Sequence, residues 1–293
     1  MTRLSLRMVH PLFIIIVLTA VLAVSWDAVT QLTTSVLLPD ESGAWDVSED
    51  VAARQVTRAV RVEVEGIGVF HVEPDAIETV RPDVFQPGHF SVFDLLVALE
   101  AAEEIGLEYH YDEAMATHVV DSIDGRSDWW YRAHYAGGWS ERNTHRMDHF
   151  PVKNGTRVEI YRERASRLED LYAHFTAEIS RLDDNGGRVV IPQVTIRGPR
   201  GERLVFEDVE VTAHDARLDL LQPGTITALD ILLSLGEQGK LEALGLTWYE
   251  RIAGADPVDH YFVERIKGEG LDAEAFGSCG FVYEVGYLSI RGF

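Results

Sequence analysis

The sequence predicts an α+β protein: two tandem copies of one small module, joined by an amphipathic helix and preceded by an N-terminal membrane segment. Three observations carry this. An uncharged apolar run follows two arginines at the start of the chain. A Gln-Pro-Gly turn recurs 136 positions later, and each copy opens an apolar helix. Between the copies, apolar residues recur at helical spacing. The expected division is a signal anchor or signal peptide over 1–26, a tether over 27–57, a first module over 58–162, a connecting helix over 163–187 and a second module over 188–293.

In the first segment, Arg3 and Arg7 precede the apolar stretch from Pro11 to Val24, and Ser25, Trp26 and Asp27 follow. A basic flank, an apolar core and an acidic exit suit an export signal whose bases stay inside. The run is short for a spanning helix, which needs about 20 residues. The small-residue site Val21-Leu22-Ala23, however, lies inside the apolar core rather than after it. The balance, helped by Trp26 at the interface, favours an uncleaved anchor and an extracytoplasmic body.

Each module begins with a hairpin. Val60, Val62 and Val64 alternate with Arg61, Glu63 and Glu65, as a half-buried strand requires, and Val69-Phe70-His71-Val72 returns after Gly66-Ile67-Gly68. Gln86-Pro87-Gly88 then leads to Ser91, a natural N-cap, and to Val92, Leu95, Leu96 and Leu99 on one helical face. In the second copy Val194-Thr195-Ile196 and Leu204-Val205-Phe206 form the hairpin, and Gln222-Pro223-Gly224 precedes Ala228 to Leu235. Asp94 and Asp230 hold the same place in the two helices. Further on, Leu107 to Tyr111 matches Leu246 to Tyr249, and Trp129 to Tyr135 matches Phe281 to Tyr287. The first copy closes on a strand at Arg157 to Tyr161. The second has little room for one after Leu288, so that strand is either missing or supplied by a partner at an open sheet edge. Between the copies, Leu168, Leu171, Tyr172, Phe175, Ile179 and Leu182 trace one helical face that ends at Asn185-Gly186-Gly187.

Composition narrows the function. Forty-eight acidic against 26 basic side chains give a net charge of −22, with lysine only at Lys153, Lys240 and Lys267. Such a surface has no basic stripe to release counterions from phosphates, which excludes nucleic-acid binding. It suits a salty or alkaline exterior, and a GC-rich coding sequence that favours arginine gives the same bias. Cys279 is the sole cysteine, so no intramolecular disulfide forms; the thiol is either buried, as its Gly and Phe neighbours favour, or an intermolecular partner.

The Pro-Gly turn with its Asp-bearing helix, together with Ser122-Ile123-Asp124-Gly125, Trp129-Trp130-Tyr131 and Val152-Lys153-Asn154-Gly155-Thr156-Arg157-Val158, resembles the transcobalamin C-terminal-like, β-grasp-type domain family. The resemblance covers Arg61 to Tyr161 and, more loosely, Val194 to Tyr287. It implies two β-grasp-like modules, each a small mixed sheet clasping one helix. Exported proteins use such modules to cover ligands or to assemble at the cell surface, and none of their residues is a catalyst. Where the family has an Asn-Gly turn after the tryptophan strand, this chain reads Tyr135-Ala136-Gly137-Gly138-Trp139, so a corrinoid ligand is not implied.

Two constellations are candidates for binding. Trp129, Trp130, Tyr131, Arg132, Tyr135 and Trp139 form an aromatic strand in which alternation sends Trp129 and Tyr131 to one face and Trp130 to the other. One face is core. The other either binds a small molecule or protein, aided by Arg126, Arg132 and Arg142, or is covered by the connecting helix or the second module. Separately, His145 and His149 stand four apart with Asp148 between them, a donor set suited to a cation such as Zn²⁺ if the segment is helical. Pro151 and the lack of an apolar period favour a loop. No phosphate loop, dinucleotide fingerprint, Gly-x-Ser-x-Gly elbow or His-Glu-x-x-His helix is present, and Gly277-Ser278-Cys279-Gly280 reads as a glycine turn. The expectation is a non-catalytic binding or assembly protein, with a metal-binding protein or an accessory subunit of a membrane complex as alternatives.

Overall fold

Alternation in the first hairpin is realised as strands β2 (Val60–Val64) and β3 (Gly68–Val72), which pair antiparallel with Val60 opposite Val72. The structure is a computed structural model that describes residues 35–37, 55–134, 144–251, 257–275 and 281. Within these the chain is α+β, with three α-helices and four small sheets. The segment 1–26 and Cys279 lie outside the described residues. Among the described residues no helix is long and apolar enough to cross a membrane.

In the first copy, α1 (Val92–Ala101) starts at Ser91, whose hydroxyl accepts from the Asp94 amide at 3.2 Å while the Asp94 carboxylate accepts from the Ser91 amide at 2.6 Å. This reciprocal cap satisfies two amides that the helix itself leaves unbonded. Asp94 is 1% exposed and also accepts from the Val80 amide and the Thr79 hydroxyl, so the embedded aspartate ties the incoming loop to the helix. A hairpin of β4 (Leu107–Asp112) and β5 (Thr117–Ile123) follows, then β6 (Trp129–His134) and β7 (Arg157–Arg162). The sheet runs β3-β2-β7-β6, with β2 and β7 parallel at its centre and both outer pairs antiparallel. Val62, Val64, Val158 and Ile160 share one core with Phe93, Leu95 and Leu96 of α1. The connecting helix α2 (Ala165–Asp184) buries Leu168, Leu171 and Phe175 in that same core, as its apolar face requires.

The second copy repeats the opening: β8 (Val189–Arg197) pairs antiparallel with β9 (Arg203–Val211), and α3 (Ala228–Glu237) begins at Thr227. Asp230 accepts from the Thr227 amide and hydroxyl and from the His214 amide, the counterpart of the Asp94 tie. The chain then forms β10 (Ala243–Arg251), β11 (Pro257–Gly268) and β12 (Leu271–Glu274). Residues read as tether contribute to both copies. Strand β1 (Ser35–Leu37) pairs antiparallel with β10, which gives the order β1-β10-β11-β12. Val56 is buried in the first core, and Asn154 bonds both the Thr57 amide and the Gln55 carbonyl. Residues 282–287, matched in sequence to β6, lie outside the described residues.

The two copies meet through the repeated turn itself. The Gln86 amide donates to the Leu220 carbonyl and the Gln222 amide to the Val84 carbonyl, at 3.0 and 2.9 Å. Their side-chain amides reciprocate, Gln86 onto the Leu221 carbonyl at 3.1 Å and Gln222 onto the Phe85 carbonyl at 3.0 Å. Phe85 and Leu221 face each other in an antiparallel bridge, and Val84, Phe85 and Leu220 close a small core of their own. Equivalent residues make equivalent bonds in both directions, so the contact has local two-fold character.

Candidate functional site

A buried polar cluster of the first copy centres on Asp148, which sits on a short 3₁₀ turn, Met147–His149, ahead of Pro151. Its side chain is fully buried. Oδ1 accepts from the Thr117 hydroxyl at 2.5 Å and faces His149 Nδ1 at 2.8 Å. Oδ2 accepts from the His118 amide at 2.9 Å and from Arg81 Nη1 at 3.0 Å, and faces His118 Nδ1 at 2.9 Å. Burial opposes ionisation of this carboxyl, but the hydrogen bonds from His118, His149 and Thr117 outweigh it and hold its pKa well below the ordinary range. Arg81 reaches it from the loop after Pro74–Ala76 and also grips Asp83 bidentately, at 2.8 and 2.7 Å. Despite a desolvation penalty on the guanidinium, Asp83 and Asp148 raise its pKa.

This network fixes His118. With Nδ1 bonded to the carboxylate, its ring lies stacked on Phe93, centroids 5.0 Å apart at 21°. Tyr111 stands edge-on to that ring at 5.0 Å, and Tyr109 stands edge-on to Phe93 at 5.1 Å. Tyr109 and Tyr111, two apart on β4, share one face of the strand, and each is 41% exposed. The result is a half-exposed aromatic surface held from beneath by a buried ion pair. It can present large contact area at little cost in side-chain entropy. The Thr117 hydroxyl donates to Asp148, so it is not placed as a nucleophile against an imidazole. Beneath His118, between Thr117, Trp130 and Phe175, the cavity measures about 10 Å³, room for a single water at most.

The aromatic strand read from sequence takes the covered alternative. Trp129, Trp130 and Tyr131 are 1%, 3% and 0% exposed. The Trp129 indole donates to the Arg126 carbonyl and the Tyr131 hydroxyl to the His145 carbonyl. Trp130 packs against Tyr172 and Phe175 of α2, so the connecting helix covers the second face of β6. Arg132 lies over the Tyr161 ring at 5.0 Å. Tyr135, Trp139 and Arg142 lie outside the described residues. Trp129, Trp130 and Tyr131 therefore build the core rather than an open surface.

His145, Asp148 and His149 do not share a helical face. Asp148 already faces hydrogen-bonding groups on both oxygens, and Arg81 brings a positive charge to the place a cation would take. Burial pushes His145 down, and its ring packs near Phe150. Among the described residues no group of three His, Cys, Asp or Glu side chains is spaced to hold a metal ion.

A second polar cluster lies where the copies meet. Arg217 grips Asp219 bidentately and stacks over Trp248 at 5.0 Å. Lys153 of the first copy is half-buried there; burial and the field of Arg217 lower its pKa to about 7 against the pull of Asp259 and Asp219. Sequence reading missed that Arg81-x-Asp83 and Arg217-x-Asp219 repeat at the same 136-residue offset as the Gln-Pro-Gly turns. That signal was present. The exposure of Tyr109 and Tyr111 had no comparable signal, because alternation alone does not say which face of a hairpin is covered.

No family model, curated protein or solved structure matches this chain.

Proposed function

We propose that the chain is an exported, membrane-anchored, non-catalytic binding or assembly protein built from two β-grasp-like modules, and that it engages a protein partner through the aromatic face of β4. The β-grasp-like reading is supported by the β3-β2-β7-β6 order, its parallel central pair and the helix that follows the first hairpin. The anchor reading rests on Arg3, Arg7 and the apolar run that follows them. The observation that carries the binding role is the pair Tyr109 and Tyr111, half-exposed on a strand yet fixed by His118, Phe93 and the Asp148 network. Exposed aromatic side chains on a rigid base are the composition of binding hot spots.

The test is native mass spectrometry of the full chain, released gently from its membrane, beside a Tyr109→Ala/Tyr111→Ala chain. The expected result is a stoichiometric protein partner on the parent and loss of that partner from the variant, which keeps the parent's circular dichroism spectrum at the assay temperature. A parent that carries only a small molecule or metal, or a partner retained by the variant, would overturn the reading.

A further inference from the structure

The second copy shows what the edge of β4 can accept. Gly106, Leu107 and Tyr109 correspond to Gly245, Leu246 and Trp248, so β4 and β10 are the same strand in the two copies. β10 is paired by β11 on one side and, over Leu244 to Leu246, by β1 on the other; Leu246, opposite Ser35, is the counterpart of Leu107 at the start of β4. β4 pairs with β5, and among the described residues no strand lies on its other side. Its extra residue, Asp121, bulges from β5 between Val120 and Ser122, which leaves β4 regular. Nor does β4 carry the proline or lysine with which natural edges are blunted. Glu108, Tyr109, His110 and Tyr111 are all exposed.

We propose that the outer edge of β4 accepts an extended basic peptide segment as an added antiparallel strand, on the same edge that β1 takes at the start of β10. The proposal rests on the reading of the β4 face as the binding surface and names its partner's chemistry. From Ala101 to Gly125 the chain has seven acidic side chains and no lysine or arginine. His110, whose Nδ1 lies 2.9 Å from the Asp121 carboxylate, is the one basic side chain on β4 itself. A second copy of this chain is a poor occupant: its segment 27–57 carries six acidic side chains and one arginine, so like charges would meet. A basic strand with alternating pattern meets both faces. Its apolar or arginine side chains lie on Tyr109 and Tyr111, and its other cations face Glu108 and Asp112.

Fluorescence anisotropy of a labelled Lys-Val-Arg-Val-Lys-Val peptide against the full chain tests this, with three controls. Two carry N-methyl groups on alternate amides, in the two opposite frames, and the third replaces the cations by Glu. One methylation frame should weaken binding at least roughly tenfold while the other binds like the parent, because only one row of amides faces β4. The acidic peptide should not bind, and hydrogen exchange should slow at 107–112. Equal binding of both methylated peptides, equal binding of the acidic one, or protection elsewhere would overturn strand addition. Binding lost in the Tyr109→Ala/Tyr111→Ala chain but indifferent to methylation would overturn it too, while leaving the aromatic face as the binding surface. No binding by the parent peptide also rejects it, and the partner test above then judges the face separately.

Discussion

Replacing Asp148 by Asn tests the ion pair beneath the β4 face. The amide keeps the shape, retains one acceptor oxygen and removes the charge. Arg81, whose side chain is 8% exposed, then has only Asp83 as its anion, and Asp83 is 63% exposed. Removing one partner of a buried pair costs about 3–5 kcal/mol, and the surviving Asp83 bond places this case at the lower end, about 3 kcal/mol. Against a typical stability of about 5–15 kcal/mol this is a large fraction. In urea it corresponds to a midpoint lowered by about 2 M, read by tryptophan fluorescence at pH 7 from Trp129 and Trp130. Removing both ends, Arg81→Met with Asp148→Leu, should cost less than the two single changes together, with a coupling of about 2 kcal/mol. The pH dependence has a definite sign. Because the folded carboxyl has a lowered pKa, its contribution is complete above the ordinary value of 3.8 and is lost as pH falls below it. The Asn variant should lack that acid-side loss. Additive single changes, or a midpoint shift for Asp148→Asn below about 0.5 M, would refute the network as the support of this face.

Other expectations concern the join and its turns. Gln86→Ala and Gln222→Ala each remove one side-chain bond to the opposite copy and should destabilise by similar amounts, about 1 kcal/mol each by calorimetry, since the bonds are reciprocal. For Lys153 the folded pKa of about 7 lies below its ordinary 10.5, so between these values the unfolded chain binds more protons and stability rises with pH. Lys153→Met should flatten that rise, as urea midpoints at pH 6.5 and 9 would show. Gly88 and Gly224 both have positive φ, +85° and +83°, so alanine strains the backbone at either, at about 1 kcal/mol. At Gly88 the new methyl also meets the Gln55 side-chain amide, whereas at Gly224 it meets open space, so Gly88→Ala should show the larger loss of melting temperature.

Much of the fold was legible because it rests on periodicity and local bonding. The Val60–Val64 alternation, the Ser91 cap with Asp94 and the apolar face of α2 each dictate their element within a few residues, and the repeat fixed their order twice. The β1 strand was not legible, since three residues of Ser-Val-Leu in a polar stretch carry no period, and only the bare edge of β10 gives them a place. The aromatic strand that the sequence singles out turns out to be buried for a related reason. Trp129, Trp130 and Tyr131 are the most conspicuous aromatics, but β6 is buried on both faces, the second of them by helix α2. Tyr109 and Tyr111 look ordinary in sequence and stay half-exposed because β4 stands in a two-stranded hairpin. Asp148 and Arg81, 67 positions apart, meet only through the tertiary fold.

The most direct test of the proposed β4 face is hydrogen exchange on the full chain as gently released with whatever protein co-purifies, compared with the same chain purified to homogeneity. If the β4 face binds a protein as proposed, amides of residues 107–112 exchange more slowly in the co-purified sample, with residues 60–64 and 157–162 unchanged. Equal exchange at 107–112 in the two states, with protection at another surface, would contradict it.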